Sequence, residues 1–157
     1  MSDTLAVVTS FATAVGALAA VAGILYAAIQ LRASRKLAKG QFLLRLDERF
    51  DKHDDVNRKL RPSGVWAKPD AGPSSDSEWA TVDGYMGLFE RINVLVRDGI
   101  MDMETVNKLY GYRVRNIAAN FRIRQAKLEI ERHMWHDFIE LERRLAAVSK
   151  ETVDGAE

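Results

Sequence analysis

The run from Thr4 to Leu31 carries no charged residue and is closed by Arg32, Arg35, Lys36 and Lys39. Nothing else in the chain restricts the fold as strongly. At about 1.5 Å per residue, such a run is long enough to cross the roughly 30 Å hydrocarbon core of a bilayer with some tilt. It reads as a single N-terminal transmembrane helix. A cleaved signal peptide would place its basic residues before a shorter apolar core, whereas the only upstream charge here is Asp3. A buried core helix of this length without a charge would need more surrounding protein than remains. From Arg32 to Leu46 there are five basic residues and no acid, which sets the N-terminus outside and the C-terminus in the cytoplasm. The expected location is the cell inner (plasma) membrane, with the lipid bilayer as first partner and Arg32, Arg35, Lys36 and Lys39 at its surface.

Small residues recur within the run at Ala12, Gly16, Ala19, Gly23 and Ala27. Their spacing of four and three puts them on one helix seam, where two backbones can approach closely. The seam predicts packing against a second copy or another membrane protein.

Three stretches follow: a transmembrane anchor with its basic collar over 1–39, a cytosolic helical domain over 40–150, and a disordered tail over 151–157. Only a little over a hundred residues remain after the collar, enough for one small core. The formal net charge is +1 and cysteine is absent, which excludes disulfides, thiolate catalysis and cysteine-ligated metals.

The fold class expected is all-α, a small helical bundle or hairpin with one long C-terminal helix. Phe42, Leu43, Leu46, Phe50, Val56 and Leu60 form a helical stripe. Gly40 is either a hinge or part of a continuous helix. The stretch 62–77, with Pro62, Gly64, Pro69, Gly72 and Pro73, reads as an exposed loop, on which Trp66 either tucks back or meets a partner. A core helix should start near Asp76 or Ser77 with Trp79, Val82, Tyr85, Met86, Phe89, Ile92 and Val96 on its buried face, and stop at Asp98 and Gly99. Asp102 reads as the cap of a short helix, Met103 to Tyr110, ended by Gly111. The long helix then runs from about Tyr112 to Ser149, with Val114, Ile117, Phe121, Leu128, Trp135, Phe138, Leu141, Leu145 and Val148 as its stripe.

The run Phe89, Glu90, Arg91, then Val94, Leu95, Val96, Arg97, Asp98, Gly99, Ile100, Met101, Asp102, followed by Val106, Leu109, Tyr110, Gly111 and Trp135, resembles a family of small bacterial proteins of unknown function. Members have one N-terminal transmembrane helix and a helical cytosolic domain. The likeness covers roughly Leu88 to Phe138 and the layout of the anchor. It implies architecture and lends no activity. Glu90, polar on a core helix, is expected to pair with Arg113 or Arg115.

His133, His136, Asp137 and Glu140 would share a broad face of the long helix and could offer metal ligands. The paired Glu-x-x-His motifs of di-iron bundles are missing, as are a phosphate-cradling glycine loop, a Gly-x-Ser-x-Gly motif and a nucleophile with a base. No enzyme activity, catalytic residue, metal, cofactor or small-molecule substrate is therefore expected. Arg113, Arg115, Arg122, Arg124 and Lys127 form a second basic stretch without an acid among them. They read first as snorkelling stems along the core edge. With Trp66 they are also the candidate partner contacts, although nucleic acid is disfavoured for want of an aromatic platform. The function expected is a membrane-anchored, non-enzymatic interaction or scaffold module, self-associating or an accessory subunit of a larger complex. The alternatives are a tethered metal-dependent or hydrolytic enzyme and a sensor of anionic lipid or nucleic acid.

Overall fold

Helical periodicity governs the chain, and the secondary structure follows it. The structure, a computed structural model, describes the backbone of residues 2–154 and the side chains of 23–149 apart from Leu25, Arg35 and Lys36. The elements are α1 (Ser2–Asp51), α2 (Asp54–Leu60), a 3-10 turn (Val65–Ala67), α3 (Asp76–Arg97), α4 (Met103–Ala119), a short α5 (Phe121–Ile123), a π-helix (Arg124–Ile130) and α6 (His136–Asp154). Among the described residues no strand occurs, so the fold is all-α. The chain divides into two units, Met1–Leu43 and Leu44–Glu157.

In the first unit the backbone stays helical through Gly40. The expected single-pass location in the inner membrane is overturned: among the described residues no helix is long and apolar enough to cross a membrane. The uncharged part of α1 whose side chains are described extends only over 23–31, about 14 Å at 1.5 Å per residue, and the charged Arg32 follows at once. That is about half of the roughly 30 Å required. Ala12, Gly16 and Ala19 of the small-residue seam lie outside the described side chains, as do Arg35 and Lys36 of the collar. Gly23, Ala27 and Arg32 are exposed, and Lys39 is half-buried.

The second unit is a helical bundle centred on α3. Val82, Tyr85, Met86, Phe89 and Ile92 are fully buried, the stripe that the sequence spacing predicts. α6 packs on both α3 and α4. An aromatic cluster ties the helices together: the Phe50 ring lies 5.0 Å from those of Phe89 and Tyr110, and Phe89 meets Phe138 edge-on at 6.0 Å. Such pairs add about 0.5–1.5 kcal/mol each beyond area burial. Tyr110 Oη donates to Asp47 Oδ1 at 2.8 Å. α1 ends at Asp51, and the interruption before α2 lets Phe50 and Val56 both face inward despite a spacing of six. It also brings His53 against α3, where a Cβ on Gly84 would stand 2.8 Å from His53 Cε1.

α3 starts at Asp76, as expected, but its cap is one residue earlier than the Asp76 or Ser77 expected to serve. Ser75, in an extended conformation, is the N-cap and accepts from Glu78 N at 3.3 Å, while the Glu78 carboxylate accepts from Ser74 N at 2.8 Å. This is a capping arrangement carried by the Ser75-x-x-Glu78 spacing. The stop falls where expected, with Gly99 at φ 69°. Asp102 caps α4 by accepting from Thr105 N at 2.7 Å.

The long C-terminal helix does not form as one piece. α4 runs straight through Gly111 to Ala119, because Gly111 packs within the helix and is buried. Asn120 then leaves the helical region (φ −72°, ψ 117°) and accepts from Ile123 N at 3.0 Å, capping a new start. The break resets the phase: Ile123 is buried, whereas Phe121, expected inside, is 60% exposed. A second interruption over 131–135 separates the π-helix from α6, and α6 continues to Asp154 into the expected tail. Residues 155–157 lie outside the described ones.

Candidate functional site

The loop over 62–77 is exposed along most of its length, as expected, and is pinned at a few points. Trp66 is only 6% exposed, the position of a core residue rather than a presented one. Asn120 Nδ2 donates to Trp66 O at 2.8 Å and to Ala71 O at 2.9 Å, and the Lys59 ammonium sits 4.8 Å from the Trp66 ring centroid. Asn120 is buried and makes three hydrogen bonds with one amide, so the end of α4 and the loop are fixed by a single side chain. Between them lies a groove of about 350 Å³ whose walls include Leu60, Trp66, Lys68, Asp70, Asn116 and Phe121.

The edge of this groove is a turn. Ala71 N donates to Lys68 O at 3.1 Å across Pro69 and Asp70, and Asp70 has φ 60°. This is a type II turn with proline at its second position and aspartate where glycine is unstrained. A non-glycine residue there costs about 1 kcal/mol. The side chains of Lys68, Asp70 and Asn116 have no hydrogen-bond or ion-pair partner among the described residues.

The basic stretch disperses once folded. Lys127 turns inward on the π-helix, its side chain 8% exposed, with Nζ 2.8 Å from Asp83 Oδ1 and 2.9 Å from Glu131 Oε2. The indoles of Trp79 and Trp135 stand 5.4 and 5.8 Å away. Burial alone would pull this ammonium down, but the hydrogen bonds to Asp83 and Glu131 outweigh it and hold it above the usual lysine range. Arg113 lies over the Phe50 ring at 4.9 Å and donates from Nε to Tyr112 Oη. Arg115 donates to Asn107 Oδ1, and Arg124 pairs loosely with Glu129 at 3.7 Å. Arg122 is exposed beside Phe121. Glu90 is not paired with Arg113 or Arg115: burial, with Asp137 nearby, pushes its carboxyl up, while a hydrogen bond with the Phe138 backbone opposes the shift.

The four candidate metal ligands are only partly brought together. His136, Asp137 and Glu140 place one ligand atom each within 4.8 Å of one another, while His133 lies in the turn before α6. Both carboxylates are already engaged. Asn93, fully buried on α3, donates to Asp137 Oδ1 at 3.2 Å and to Glu140 Oε2 at 2.9 Å, and Arg97 donates to Asp137 at 2.8 Å. Asn93 Oδ1 accepts from Arg144 at 3.3 Å. The hydrogen bond from Asn93 holds the Glu140 carboxyl below the usual range. Asn93 and Arg97 thus tie Asp137 and Glu140 into a polar seam between α3 and α6 through one oxygen of each carboxylate. Three buried polar atoms, His53 Nδ1, Asp83 Oδ1 and Tyr85 Oη, have no hydrogen-bond partner among the described residues, although Asp83 Oδ1 lies 2.8 Å from the Lys127 ammonium.

No protein-family model, curated protein or solved structure matches this chain.

Proposed function

We propose that the chain is a non-enzymatic interaction module that associates with further copies of itself through α1. The observation that carries this reading is the exposure of Ile24, Ile29 and Leu31, which are 70%, 65% and 54% exposed with Tyr26 among them. Ile24 and Leu31, seven residues apart, share one face of α1, and fully burying one such side chain is worth about 1.5–3 kcal/mol, so two copies that covered this pair on each helix would gain about 5 kcal/mol. This reaches the lower end of the roughly 4–15 kcal/mol that association costs. A second copy suits the segment because no charge occurs between Thr4 and Leu31, so like segments meet without repulsion.

Sedimentation of the full-length chain in aqueous buffer tests this. The expected result is a mass of two or more protomers that falls to one on joint Ile24→Glu and Ile29→Glu substitution. A monomeric wild type, or an unchanged oligomer in the double variant, refutes the proposal.

A further inference from the structure

Independently of self-association, the groove at the 62–75 loop has the makings of a ligand site. Its volume of about 350 Å³ falls in the range of small-molecule pockets, which pair mainly apolar walls with a few oriented polar groups. It is also formed in advance. Asn120 fixes the loop at two carbonyls, so little ordering remains to oppose binding.

The polar groups are one of each kind. Lys68 supplies a cation and Asp70 an anion from the same four-residue turn, and Asn116 supplies an amide from α4. None of the three is satisfied by another described residue. Facing them along the groove are Leu60, Trp66 and the exposed ring of Phe121. Asp70 stands at φ 60°, which sets its carboxylate on the rim of the groove at a position where glycine would relax the backbone.

We propose that this groove binds a free aromatic amino acid as its zwitterion. Its carboxylate pairs with the Lys68 ammonium, its ammonium with the Asp70 carboxylate, and its ring lies against Phe121 and the apolar wall at Leu60 and Trp66. An aromatic ligand bearing a single charge would make one ion pair in place of two, and an aliphatic one would forgo the ring contact.

The test titrates the full-length chain with L-phenylalanine, 3-phenylpropionate, phenethylamine and L-leucine by amide chemical-shift mapping. Phenylalanine should bind saturably, with a dissociation constant of about 1 mM or below, and shift residues of the loop and the end of α4. Each of the three analogues should bind at least about tenfold more weakly, the loss expected from one missing charge-assisted contact or ring. Phe121→Ala, at an exposed position, should weaken phenylalanine without altering the fold. Asp70→Gly gives the sharpest separation, because it should raise the thermal midpoint by relieving the turn and yet abolish phenylalanine binding. Absence of saturable shifts in the groove overturns the proposal. So does equal binding of an analogue, or full affinity in Asp70→Gly.

Discussion

Lys127 provides a test of which member of an ion-pair cluster is the buried one. Its side chain is 8% exposed, whereas Asp83 and Glu131 are 40% and 36% exposed. Lys127→Met keeps most of the apolar stem against Trp79 and Trp135 and removes the charge. Both carboxylates keep part of their surface in water although Asp83 Oδ1 is buried, so the loss stays near that of partly exposed pairs, about 1 kcal/mol. Joint Asp83→Asn and Glu131→Gln removes the same two ion pairs but strands an ammonium that cannot reach water, and should cost about 3 kcal/mol or more. In urea unfolding followed by circular dichroism, that difference appears as a midpoint shift of about 2 M for the acid double variant against less than about 1 M for Lys127→Met. The sign of the pH dependence follows from the shifts. The raised Lys127 group contributes fully below its unfolded value and loses that contribution as pH rises through its folded one. The lowered Glu131 group contributes above its unfolded value and loses that as pH falls through its folded one. The cost of Lys127→Met should therefore stay level between about pH 5 and pH 10. Equal costs for the two variants, or a larger one for Lys127→Met, would refute the assignment of the buried charge.

Three further outcomes follow from named contacts. Asn120→Ala removes three hydrogen bonds from a buried site and should lower stability by about 2–4 kcal/mol, with amide exchange rising first over residues 62–75. Gly99→Ala, at φ 69°, should cost about 1 kcal/mol in urea unfolding, since open space around the position leaves only backbone strain. The Glu78 carboxyl is held at about 2, chiefly by the Ser74 amide and then by Lys59 and the Ser74 hydroxyl. Its stabilising contribution is present above the unfolded value near 4.3 and is lost as pH falls towards about 2. Glu78→Gln should therefore flatten the stability profile in that interval, as read from acid titration of the helical signal.

What could be read from the residues alone was local. The buried face of α3, the stop at Gly99 and the Asp102 cap depend on neighbours within a few positions, and each lies where spacing and turn chemistry put it. The interruption at Asn120 was hidden because Val114, Ile117 and Phe121 continue a helical rhythm across it. Only the fact that Ile123, two residues on, is also apolar hints at a change of phase. The inward turn of Lys127 depends on Asp83, forty-four positions away, and on a π-helix that no composition rule announces. The groove was illegible for the same reason: its loop looks like free punctuation until Asn120, distant in sequence, is seen to hold two of its carbonyls. At the N-terminal end, a long run without charge reads as requiring lipid, and the described part of α1 is too short in apolar length to meet that requirement.

The seven π-helical residues Arg124–Ile130 give this chain a local reserve of length. A π turn holds more residues than an α turn, so deleting one position there lets the segment tighten to ordinary α geometry while the elements on either side keep nearly the same phase. The same deletion inside α4 meets no such slack, and everything beyond it rotates by about 100°. Single-residue deletions are thus absorbed between Arg124 and Ile130 and ruinous within α4, where Val114 and Ile117 would swing out of the core.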